Sequence, residues 1–125
     1  MNLDKVISGF FIILAMTLNF GFFYGTTIDN HSKYELFAAI VVNLIATILK
    51  LGDKTQLGSV LLATSLVADI QLITAATIWT FSVYSASGVV SPEIMSMIVS
   101  LSGGALLANI TSVVLYVADT IKSKR

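Results

Sequence analysis

Lys50-Leu51-Gly52-Asp53-Lys54-Thr55-Gln56, followed by Leu57 through Ala68 and then Asp69-Ile70-Gln71, is the stretch whose reading decides the fold. It opens with three charges, Lys50, Asp53 and Lys54, and then sets one acid, Asp69, deep inside an apolar run. A polar turn with apolar segments on both sides reads as the end of one helix and the start of the next. Working outward, Val6 to Ile28, Leu36 to Leu49, Ile70 to Pro92 and Ile94 to Ala118 carry no charge at all. A membrane span needs about 20 predominantly apolar residues, and these runs supply them alone or joined across one charge. The composition agrees. Of 125 residues, 56% are hydrophobic and only 11% charged, with mean hydropathy +0.91. That is too little charge to clothe a soluble domain. The expected class is an all-α integral membrane protein with four transmembrane helices, forming one transmembrane domain over residues 1–125.

The expected helices cover about 3–24, 34–51, 53–84 and 92–121. Tyr34 and Glu35 open the second, with the acid where the helix dipole favours it. Ser91-Pro92-Glu93 gives the fourth an N-cap serine, a proline at the first helical position and an acid in the first turn. A helix over 53–84 would be roughly 45 Å long, more than a hydrocarbon core of about 30 Å, so it must tilt, protrude or break. With the N-terminus cytoplasmic, Lys5, Lys50, Lys54, Lys122, Lys124 and Arg125 all fall on the cytoplasmic side, and Lys33 alone falls opposite. The positive-inside rule therefore places both termini in the cytoplasm. Net charge is zero, so nucleic acid is not an implied partner, and the absence of cysteine excludes disulfides and thiolate metal sites.

The turn has a purely structural reading. Gly52 would end the second helix in the left-handed conformation, Asp53 would cap the third, and Lys50 and Lys54 would snorkel to the interface. Gly52-Asp53-Lys54-Thr55 also resembles the core of the Glu-x-Gly-Asp-Lys-Thr motif of a family of cation/proton antiporters. That resemblance implies a cation-binding role for Asp53, while Lys50 stands where the motif has its glutamate. A longer likeness runs through Leu18-Asn19-Phe20-Gly21-Phe22-Phe23, Tyr34-Glu35-Leu36-Phe37-Ala38-Ala39 and Gly52 to Leu72. Over those segments the chain resembles a family of small four-span bacterial inner-membrane proteins of unknown function, which implies a multi-pass location in that membrane and no particular activity.

Asp69 is the sharper chemical clue. An aspartate at a helix centre in a bilayer costs about 2.5–3.5 kcal/mol on insertion scales, so it must face protein or water. Ser65, one turn earlier, shares its face, whereas Gln71 points elsewhere. Asn19, Asn43 and Asn109 are each positioned to pair with it as interhelical links. The expected ion pathway is Asp69, Ser65, Asp53, Asn43 and Asn109, in a homo-oligomer that passes a cation or couples it to protons. The alternative is a non-conducting accessory or scaffold subunit that binds another membrane protein. Its contact surfaces would be Gly21 and Gly25 on the first helix and the period-four ridge Ser96, Ser100, Gly104, Ala108 and Ser112 on the fourth. Trp79, Tyr84, Tyr24 and Tyr34 read as an interfacial aromatic belt. His31 has no second ligand at helical spacing, so no metal site is expected. No cofactor is expected, nor an enzyme, since no nucleophile–base–acid set or phosphate-binding glycine loop occurs. Beyond a cation, the lipid bilayer and a second copy of the chain are the implied partners.

Overall fold

The computed structural model describes residues 3–24, 33–52, 55–85 and 90–123. It is all-α, with α1 Leu3–Tyr24, α2 Lys33–Lys50, α3 Gln56–Ser85 and α4 Pro92–Ser123. Three of the four, α1, α3 and α4, are long and apolar enough to cross a membrane. α2 is shorter, at 18 residues, and carries charges at both ends.

One sequence period organises the packing. The buried residues are Ile12, Ala15, Asn19 and Phe22 on α1, and Leu36, Ala39, Asn43, Ala46 and Lys50 on α2. On α3 the inward stripe is Gly58, Leu61, Ser65, Ala68, Leu72, Ala75 and Ser82, with Asp69 buried beside it. On α4 it is Met95, Ile98, Ser102, Ala105, Asn109 and Ser112, with Leu106 buried beside it. The stripes step by three and four, with one step of seven from Ala75 to Ser82, the heptad of a helix seam, which favours left-handed crossings near 20°. One position of the repeat is mostly alanine: Ala15, Ala39, Ala46, Ala68, Ala75 and Ala105. Side chains that small let backbones approach closely.

Each helix packs on its sequence neighbour, and α4 closes onto α1. The contacts give the direction. Gly21 near the end of α1 meets Glu35 at the start of α2, and Gly103 meets Phe23. Tyr116 near the end of α4 donates a hydrogen bond to the Lys5 carbonyl oxygen at 2.5 Å. Neighbours therefore run antiparallel, and the beginnings of α1 and α3 share one end of the bundle with the ends of α2 and α4.

The ends of the helices follow local chemistry, with one difference from expectation at the decisive turn. Thr55 caps α3: its hydroxyl accepts from the Gly58 amide at 3.0 Å, the N-cap geometry. Gly52 does not adopt the left-handed conformation; α2 instead finishes with a tight bond from the Leu51 amide to the Ile48 carbonyl oxygen at 3.1 Å. Ser91 caps α4 through the Ile94 amide at 3.2 Å. Asp53, Lys54, Gly25 and His31 lie outside the described residues.

The outward faces are apolar. Phe10, Phe37, Ile48, Ile70, Phe81 and Leu107 are all exposed. Outward threonines on α3 satisfy their own hydroxyls: Thr74, Thr77 and Thr80 each donate to the carbonyl oxygen four residues earlier, at 2.7–2.9 Å. Such back-bonding removes the cost of a hydroxyl in an apolar surrounding.

Candidate functional site

The site starts with Lys50. As the last residue of α2 it was expected to reach outward to solvent, yet it is 94% buried, being only 6% exposed. The reason is register. Leu36, Asn43 and Lys50 are seven residues apart, so Lys50 occupies the inward stripe and not the outward one. Its ammonium donates across the bundle to Ser65 Oγ on α3 and to Ser112 Oγ on α4, the latter at 2.9 Å. One side chain thus links three helices.

Asp69 lies one turn further along α3 and is 5% exposed. Its Oδ2 accepts from the Thr47 hydroxyl of α2 at 2.5 Å. The same hydroxyl lies 2.8 Å from the Asn43 carbonyl oxygen. The pairing of Asp69 with Asn19, Asn43 or Asn109 that the sequence suggested is therefore replaced by Thr47, whose position one turn before Lys50 brings it to the α3 face. This geometry serves either protonation state. An ionised Asp69 accepts from Thr47; a protonated one can donate to it while Thr47 donates to the Asn43 carbonyl. Asp69 Oδ1 is buried and accepts no hydrogen bond from the described groups. Lys50 and Asp69 occupy neighbouring layers without a direct ion pair, Lys50 held by serine hydroxyls and Asp69 by that of Thr47. Lys50 is the buried basic residue among the described residues of this stripe.

The asparagines join a second network. Asn19, fully buried, presents its carboxamide to the α4 backbone. In the amide orientation that satisfies both ends, its nitrogen donates to the Ser102 carbonyl oxygen at 3.1 Å. Its oxygen accepts from the Leu106 amide at 2.9 Å and from Asn109 Nδ2 at 3.1 Å. Asn43 satisfies its nitrogen on the Ala39 carbonyl oxygen at 2.6 Å.

Together these residues make a polar column through one half of the interior. Lys50, Ser65 and Ser112 form its outermost layer, Thr47, Asp69 and Asn109 the next, Asn43 and Asn19 follow, and Ser102 lies deepest. The other half is mainly apolar: Phe22, Leu36, Leu72, Met95 and Ile98 pack together with Trp79 against them, and the buried Ser82 there satisfies its hydroxyl on the Ile78 carbonyl oxygen. The Phe22 and Trp79 ring centroids are 6.0 Å apart, so Trp79 belongs to this plug and not to an outer belt. Tyr24, Tyr34 and Tyr84 do stay exposed. A groove of about 440 Å³ lies at that same end, lined by Tyr34, Phe37, Trp79 and Tyr84 among others. It is apolar and contains no member of the polar column.

The remaining expected residues are dispersed. Gly21 meets the Glu35 carboxylate, and Gly104 meets the Gln71 amide, so Gln71 does approach α4. Ser96 and Ser100 are exposed, Gly104 and Ala108 half-buried, and Ser112 buried. A period of four drifts about 40° per step against 3.6 residues per turn, so this ridge winds from the outer surface into the core. Among the described residues no group of three or more His, Asp or Glu side chains is placed to hold a metal ion.

Antiparallel apolar helices enclosing a lysine and an aspartate define an α-helical bundle compatible with a multi-pass membrane protein. Residues 30–120 match a family of unknown function, DUF6394, and the chain belongs to that family. No curated protein and no solved structure matches it.

Proposed function

We propose that this is a four-span protein of the bacterial inner membrane, with both termini cytoplasmic, that takes up and releases protons at Asp69 as part of proton or proton-coupled cation passage. Lys50 is its internal counter-charge. The observation that carries this reading is the burial of Asp69 with one unpartnered carboxylate oxygen, one layer from the buried ammonium of Lys50. Charged residues inside a span are expensive and are kept where they face partners or water on a transport path. Lys50 also bears on the choice of ion. A metal cation at Asp69 would meet the repulsion of the ammonium, whereas a proton exchanging between carboxylate and solvent leaves Lys50 in place. Proton passage is thus the leading form, and a cation enters only by displacing that ammonium.

The protein works as a homo-oligomer, and the outward Ser96 and Ser100 offer a surface for self-association. The same exposed serines suit the accessory-subunit alternative. The test is proton flux in liposomes carrying a pH-sensitive dye and driven by a potassium diffusion potential. Native protein is expected to conduct, and Asp69→Asn to reduce the rate at least tenfold while eluting as the same species in detergent. Equal flux in both would remove Asp69 from the mechanism; no flux in native protein that co-purifies with another membrane protein would favour the accessory role.

A further inference from the structure

Gln71 stands at the middle of α3, fifteen residues after Gln56 and fourteen before Ser85, so in a membrane-spanning helix its carboxamide lies near mid-depth. The side chain leaves α3 toward α4 and lies across Gly104, where a Cβ would come 2.5 Å from its Nε2. The residue is half-buried. Its Oε1 is buried without a hydrogen-bond partner, and its Nε2 donates to no described group. Neighbouring hydroxyls behave differently. Thr74 and Thr77 on α3 and Thr111 on α4 are exposed, and each satisfies itself on the carbonyl oxygen four residues earlier, at 2.7–2.9 Å. Ser100, exposed one turn from Gly104, shares with Gln71 the lack of a partner among the described residues. Hydrocarbon offers neither group a hydrogen bond.

We propose that the outer α3–α4 face is a contact between two copies of this chain, in which the Gln71 amide of one copy pairs with that of the other. The choice of a second copy follows from symmetry. Two copies with the same topology in one membrane are related by a two-fold axis along the membrane normal, so residues at the axis meet their own equivalents at equal depth. A carboxamide complements itself, because it carries both donors and an acceptor. Two of them face to face exchange two N–H···O bonds, and rotation about the last torsion, which is soft, presents either end across the axis. A carboxylate or an ammonium in this place would repel its copy. Ser100 flanks the contact with a hydroxyl that can donate or accept. The interface rests on the membrane-spanning reading of the proposed function and supplies the self-association named there; it does not require conduction.

The chain contains no cysteine, so Val67→Cys, at an exposed position one turn before Gln71, reports the proximity of two copies. Ile48→Cys is the control: it is exposed on α2 and adjoins Thr47, the partner of Asp69, so it lies at similar depth on another helix. Oxidation in liposomes with copper phenanthroline is expected to cross-link Val67→Cys and to leave Ile48→Cys largely single. Adding Gln71→Leu to Val67→Cys is expected to slow cross-linking about tenfold, and Gln71→Asn, which keeps the amide, to restore most of the rate. Because Gln71 makes no hydrogen bond to the described residues of its own chain, Gln71→Leu is expected to keep the native thermal midpoint in a detergent that disperses single copies. An earlier midpoint would mean that Gln71 supports the single bundle and would overturn the pairing. Equal cross-linking of Val67→Cys and Ile48→Cys, or cross-linking of Val67→Cys that survives Gln71→Leu, also overturns it. Amide-dependent cross-linking without proton flux leaves the pair standing and removes the proposed function; proton flux in native protein without cross-linking of Val67→Cys does the reverse.

Discussion

Lys50 is the residue on which the interior chemistry turns, and it is legible only through the right period. Counting basic residues assigns it, with Lys54, to a membrane interface. The seven-residue spacing from Leu36 and Asn43 assigns it to the seam, and the seam prevails because α2 ends there with its inward face still covered by Ser65 and Ser112. Asp69 was visible as a lone acid in an apolar run; its partner Thr47 was not, because an i and i+22 contact leaves no mark in a single helix pattern. The two neighbouring groups predict a coupling. The two groups form no direct ion pair, so removing either costs about 1–3 kcal/mol, the loss of a buried group hydrogen-bonded to its hydroxyl partners. Lys50→Met and Asp69→Asn are each expected to lower stability in detergent by about that much, and the double variant to lose less than the sum. Strict additivity in this cycle would show that the two do not act on each other across the layers. Thr47→Val, which leaves Oδ2 of Asp69 without its donor, is expected to cost about 1–3 kcal/mol by the same denaturation assay.

At the level of the helices, four apolar segments and the Ser91 cap could be read directly from the chain, since uncharged runs and capping residues are local signals. The start of α3 could not, because Asp53 and Thr55 are both favoured cap residues, Asp the more so, and Thr55 is the one whose hydroxyl meets the Gly58 amide. Glycines on the seam give a graded prediction. A Cβ at Gly103 would come 2.8 Å from Phe23 Cε1, a ring atom, and one at Gly104 would come 2.5 Å from Gln71 Nε2, the tip of a flexible side chain. Overpacking typically costs about 1–3 kcal/mol, against which alanine gains up to about 1 kcal/mol of helix propensity over glycine. Gly104→Ala is therefore expected to be near neutral, because the Gln71 amide can swing aside. Gly103→Ala is expected to lose about 1–2 kcal/mol, with recovery on adding Phe23→Leu. Thermal unfolding of the three proteins checks the order; a Gly104→Ala loss as large as that of Gly103→Ala would show that Gln71 is held rigidly.

For the molecule as a whole, the interior divides into a half rich in polar groups, from Lys50 to Asn19 and Ser102, and a mainly apolar half beyond it, and under the proposed function this division bears on conduction. On the proposed path a proton at Asp69 has Asn43 and Asn19 ahead of it and then Phe22, Ile98 and Trp79, none of which can accept it. The apolar layer is thus the barrier in any proton path through one copy of the chain, and weakening it is expected to raise conduction. Ile98, completely buried in the layer, is the position to alter. Serine there removes most of the side chain and adds a hydroxyl able to bridge a water to the Asn19–Asn109 network. Ile98→Ser in liposomes is expected to raise proton flux at least tenfold over native protein, and adding Asp69→Asn is expected to return it to the native level or below. The stability lost on excavating a core position, about 2–5 kcal/mol, is controlled by Ile98→Ala, which leaves a comparable cavity without the hydroxyl. An equal rise in both variants would mean disrupted packing and not a completed path. No rise in either would place the barrier elsewhere and move conduction to an interface between copies.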